Sequence, residues 1–187
     1  MAAIAFAYDV KRATEVVLWF LNKHGRLDYR KLLKLLFLAD CRHLAEYGRP
    51  IAGGRYVAMS QGPVQSEIYD GFRALRDGQP VGPDLVFEPP FYLRPERAVR
   101  EECLSESDLE VLEEIDREYG RMDSQALVDL VHKYKCWKNN EPRPGGPGSI
   151  TIPYDDIVSE VCNDDMADLI CEHQEARAVF EEGRPDL

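Results

Sequence analysis

Asp40 and His43 stand three residues apart in the run LKLLFLADCRHL, so on a helix both side chains share one face. With His132 added they would form a three-ligand set of the kind that holds a hydrolytic metal. The spacing is not the His-Glu-x-x-His pattern of a zinc helix. The plainer expectation is that both lie along the polar edge of the helix and bond to nearby backbone. Cys41 with His132 offers a second chemistry, a thiolate nucleophile. A cysteine among leucines has its thiol pKa raised by burial, which works against it. Arg26, Arg30, Lys31 and Lys34 cluster into a basic patch, the one feature that suits a nucleic-acid-binding regulator. Against it stands a formal net charge of −11, a field that a phosphate backbone repels. No Gly-x-Ser-x-Gly elbow or glycine-rich phosphate loop occurs, and no residue set calls for a cofactor.

The elements that must place these residues follow from apolar spacing and caps. Asp9 can cap a first helix with Val10, Ala13, Val16, Val17, Phe20 and Leu21 on one side, ended by Gly25. Asp28 can cap a second that stops near Gly48 and Pro50. Leu32, Leu33, Leu35, Leu36, Leu38, Ala39 and Leu44 cover more than half of its circumference, which predicts a central helix covered on two sides. Residues 55–60 read as a short strand, and Pro63 suits the first position of a third helix. Gly78–Pro83 reads as a loop, and 85–88 with 91–99 as a ragged edge hairpin broken by prolines. Ser105 with Asp108 resembles a capping box opening a fourth helix, and Asp123 or Ser124 caps a short fifth. The Pro- and Gly-rich stretch 138–149 predicts a mobile loop, residues 150–152 a strand in need of a neighbour, and 164–187 a C-terminal helical extension. The expected fold is mainly α: a single-domain helical bundle over 1–187 with a small edge β-hairpin or short sheet.

With 187 residues, 44% of them hydrophobic, the chain can build one substantial core. No apolar run reaches the roughly 20 residues of a membrane-spanning helix, and residues 1–7 do not read as a secretory signal. Five cysteines without a CxxC pair suit a reduced, cytoplasmic protein.

Several ordered blocks carry a resemblance. Lys31-Leu-Leu-Lys-Leu-Leu-Phe, Tyr47-Gly-Arg-Pro, Gly62-Pro-Val and Glu67-Ile-Tyr, followed by Leu127-Val-Asp-Leu-Val-His and Trp137, resemble the SocA-like Panacea domain, also called the phage-associated GepA type. The likeness runs from about residue 9 to residue 160 and maps the family motif onto Lys31, Lys34, Gly48, Gly62, Pro63, His132 and Trp137. It implies a mainly helical antitoxin that neutralises a cognate protein toxin by binding it, with delivery to a protease as one route. Tyr29, His43, Arg55, Tyr56, Gln61 and Tyr69 flank the apolar helix and are the candidate partner-binding residues, exposed or buried. His132 and Trp137 could line a cleft; a Trp at a helix exit more often closes the core while its N–H finds one carbonyl. The acidic run from Glu101 to Glu118, Glu110, Glu113 and Glu114 included, reads as a solvated face that could also steer a basic partner.

Overall fold

The computed structural model describes residues 3–79 and 84–182. One helix organises the rest: α2, Tyr29–Tyr47, whose positions 32 to 41 are all buried. Two neighbours pack on it first, α1 (Val10–His24) and α4 (Glu106–Tyr119). Two more close its other side, α5 (Ser124–Val131) and α7 (Tyr154–Val161). Helices α3 (Ser66–Arg76), α6 (Lys135–Lys138) and α8 (Asp164–Glu182) complete eight α-helices among the described residues. A stripe of leucines too wide for one contact is thus satisfied by cover all round.

The ends of these helices are chemically specified. Asp9 accepts the Arg12 N–H and Asp28 the Arg30 N–H, so each carboxylate satisfies a donor that the first turn leaves free. Ser105 and Asp108 form a full capping box at the start of α4. Gly48 ends α2 in the left-handed region at φ +69°, and a Cβ there would lie 3.1 Å from Met166 Sδ of α8. Val10, expected on the inner stripe of α1, is instead 62% exposed; it occupies the first helical position, before the stripe meets a neighbour.

Two three-stranded antiparallel sheets flank the bundle. In one, β1 (Leu27–Asp28), β5 (Tyr92–Pro95) and β4 (Leu85–Glu88) lie in the order β1-β5-β4. This is the expected edge hairpin, closed by two residues between α1 and α2 that no periodicity announced. In the other, β3 (Gly62–Gln65), β2 (Tyr56–Met59) and β6 (Ile150–Ile152) lie in the order β3-β2-β6. Here the structure corrects the reading of Pro63, which does not open a helix. It pairs with Ala58 in an edge strand, where its missing N–H costs no ladder bond. Gln65 caps α3 instead, accepting the Ile68 N–H at 2.6 Å. The strand expected at 150–152 finds its neighbour in β2, and 139–149 carries no helix or strand. Of the expected loop at Gly78–Pro83, positions 80–83 lie outside the described residues, as do 183–187 of the expected C-terminal extension.

Candidate functional site

The polar residues of α2 divide into two sets by turn. Those of its second half are structural. Asp40 is fully enclosed; its Oδ1 accepts the N–H groups of Ile51 (2.8 Å) and Ala52 (3.1 Å), and its Oδ2 the Tyr56 hydroxyl (2.9 Å). Burial pushes this carboxyl up to about 6 despite those three donors. His43 is 0% exposed, with Nδ1 2.8 Å from the Arg49 carbonyl oxygen and Nε2 3.1 Å from Ser107 Oγ and Asp108 Oδ1. Asp108 also accepts from Arg49 at 2.9 Å. Burial alone would raise its carboxyl, but the hydrogen bonds from His43 and Ser105 and the Arg49 charge together hold it well below the usual range.

The expectation that Asp40 and His43 lie on a polar edge is therefore overturned. The backbone bonding expected of both is present, but in the interior: the 49–52 segment folds over them and supplies the N–H and carbonyl partners. Tyr56 and His43, two candidate partner-binding residues, are sealed inside this network. His132 belongs to a different one, stacked on Trp137 with ring centroids 3.8 Å apart. The three residues of the metal hypothesis are thus split between two networks, and no cluster of three or more His, Cys, Asp or Glu that could hold a metal occurs among the described residues. Cys41 is buried and its thiol is pushed well up by burial, the reverse of what a nucleophile needs.

The first half of α2 faces a groove. Tyr29, Arg30, Leu33 and Lys34 form one wall, Met59, Ser60 and Gln61 of the β2–β3 turn another, and Val64 and Tyr69 close it around some 310 Å³. A second depression of about 390 Å³ adjoins it across Arg30 and Gln61 and runs on to Phe91, Asp123 and Ser124. Three residues expected to bind a partner, Tyr29, Gln61 and Tyr69, therefore meet at one place. Arg55 does not join them; it is paired with Glu67 at 3.1 Å.

Motif residues support this groove from beneath. Lys34 is 2% exposed and donates to the Pro63 carbonyl at 2.9 Å, and burial lowers its amine to about 7. Gly62 must be glycine: at φ +103° a Cβ would lie 2.7 Å from Val131 Cγ2 and 3.2 Å from Lys34 Nζ. The Trp137 indole N–H donates to the Met59 carbonyl at 3.0 Å, pinning the turn that carries Gln61. His132 Nε2 is buried without a partner, and burial, then the nearby Lys34, lowers the imidazole. Lys31 reaches the Gly120 carbonyl at 2.6 Å and so ties α2 to the end of α4.

The basic patch is not a free cationic stripe. Arg26 lies 3.6 Å from Glu88 and over the Tyr92 ring, and Arg30 is paired with Asp28 at 3.1 Å. The acidic face of α4 is likewise engaged: Glu110 accepts from Tyr47, Glu113 from Lys23, and Glu114 and Glu118 from Arg42. Those carboxylates hold α4 to α1 and α2, so reversing their charge would disturb packing as well as any steering.

A family model described as "Antitoxin SocA-like, Panacea domain" matches residues 32–138, more than half of the chain, from the leucine stripe of α2 through Trp137. The protein is a member of the SocA-like Panacea antitoxin family. No curated protein and no solved structure matches the chain. The Panacea match spans the groove residues Leu33, Lys34, Met59, Gln61, Val64 and Tyr69, while Tyr29 and Arg30 lie just before it. The central helix was legible from its leucines; the groove was missed, because its walls come from 29–34, 59–64 and 69. The one signal that could have found it was Gly62-Pro63 following a polar Ser-Gln turn.

Proposed function

We propose that this protein neutralises a cognate protein toxin by binding it, with the Arg30–Gln61 groove at the centre of the contact. Family membership supports an antitoxin role. The observation that carries the choice of surface is the convergence of Tyr29, Gln61 and Tyr69 on one concave patch, ringed by two tyrosines and an arginine of the types enriched in interface anchors. No helix among the described residues is long and apolar enough to cross a membrane. The action proposed is cytoplasmic.

The test is co-expression with the small product encoded beside this gene. Growth arrest by that product alone, relieved by this protein and not by its Gln61→Arg or Tyr69→Ala variants, supports the reading. Relief that survives both substitutions moves the contact elsewhere, and an absence of relief by the native chain rejects the antitoxin role. The amount of toxin separates two modes: accumulation of an inert complex means occlusion, whereas its disappearance means delivery to a protease.

A further inference from the structure

Lys34 is a buried amine, lowered by that burial to about 7. Among the described residues no carboxylate pairs with it, and its amine meets one acceptor, the Pro63 carbonyl. Burying an unpaired ammonium is expensive, and a helix that needed only apolar cover would carry leucine or methionine there. Lys34 nevertheless lines the groove. The charged and titratable groups around it do not neutralise it: Arg30 is itself cationic and committed to Asp28, and His132 has a buried nitrogen without a partner. Its amine sits where Gly62 leaves out a side chain, a gap that any Cβ would crowd.

We infer that the groove is a receptor for a glutamate side chain of the bound partner, its carboxylate against Lys34 Nζ and its methylenes between Tyr29, Leu33, Val64 and Tyr69. The walls argue for a short aliphatic stem, since Leu33, Met59 and Val64 are apolar and Lys34, itself 2% exposed, is among the lining residues. The charge count argues for a monoanion. With Arg30 already paired to Asp28, one cation remains, and a doubly charged phosphate would bury an excess negative charge. Desolvated and aimed at a single donor group, such a contact sets specificity more than encounter rate, which suits a protein whose overall charge of −11 repels acidic partners at long range. This rests on the neutralisation reading only for the source of the glutamate.

The probe is glutamate blocked at both ends, as the N-acetyl N-methylamide, at about 50 mM, above the millimolar dissociation constant expected of so small a ligand. The readout is the pH titration of Lys34 by ¹³Cε NMR of lysine-labelled full chain, its signal assigned by its loss in Lys34→Met. The blocked glutamate should raise the Lys34 midpoint by about one unit or more at matched ionic strength, while blocked glutamine leaves it in place. Gln61→Trp, a change at an exposed turn position, should abolish the response by filling the mouth without touching Lys34. No movement of Lys34 overturns the site. Equal movement by inorganic phosphate or N-acetyl-leucine overturns the assignment to a glutamate side chain. The titration needs no toxin, so its failure leaves the antitoxin reading intact, and failure of co-expression leaves the titration standing.

Discussion

Replacing Asp40 by asparagine should make this protein more stable at neutral pH, although it removes a residue at the heart of the core network. The carboxyl is wholly enclosed and titrates at about 6 in the fold, against 3.8 as its ordinary value. A displacement of about two units is worth about 3 kcal/mol, at 1.36 kcal/mol per unit. For an acid raised by folding, the native state binds the proton more tightly than the unfolded chain. Asp40's contribution is therefore fully present below about pH 4 and lost as pH rises through about 6. Asparagine is the permanently neutral analogue. Its Oδ1 can take the N–H groups of Ile51 and Ala52, and its NH₂ can donate to a rotated Tyr56 hydroxyl. Urea unfolding followed by tryptophan fluorescence should show Asp40→Asn within about 1 kcal/mol of the native chain near pH 4 and about 2–3 kcal/mol more stable near pH 7.5. Asp40→Ala leaves three buried donors unmet and should fall below the asparagine variant by about 3 kcal/mol or more at every pH. A stability difference between native and Asp40→Asn that is flat with pH, or that grows in favour of aspartate toward neutrality, would refute the account.

Other expected outcomes can be checked by the same unfolding assay. Gly62→Ala places a methyl 2.7 Å from Val131 Cγ2 at a left-handed φ, and should cost about 2–4 kcal/mol. Ser105→Ala breaks the capping box of α4 and should cost about 1 kcal/mol, with Ser105→Asp close to native. Trp137→Phe keeps an aromatic ring against His132 but removes the indole donor to the Met59 carbonyl; a loss of about 1–3 kcal/mol, with faster amide exchange in 59–62, is expected.

The parts of this fold that were legible are those specified by neighbours in sequence. Asp9, Asp28 and Ser105 announce helix starts because each satisfies an N–H two or three residues on, and α2 announces itself because leucines recur all round a helical turn. Pro63 reads equally as a helix opener or an edge-strand residue, because a first helical position and an edge strand make the same demand, a backbone position that needs no donor. What separates them is the two-residue connection at Ser60 and Gln61 and a Gln65 able to cap, a distinction of register between 56–59 and 62–65. Asp40 and His43 read as polar-edge residues because the groups that enclose them, the 49–52 backbone and the side chains of Tyr56, Ser107 and Asp108, are not neighbours in helical spacing. Tyr56 and Gln61 flank the central helix equally in sequence, yet one is 1% exposed and the other lies open to solvent. Position in the hairpin decides between them: Tyr56 opens β2 against the core, whereas Gln61 sits in the exposed turn that joins β2 to β3.

Helix α2 is one unbroken element from the groove at its first turns to the Asp40 cluster in its second half, and helices and strands from both ends of the chain pack on it. Such a rod leaves the domain no seam along which to part. A cut on either side would strand half the leucines in water, so no fragment should keep the groove while shedding the rest. Loss of this protein in a cell should then be abrupt, its grip on a partner vanishing in one step rather than fading by degrees.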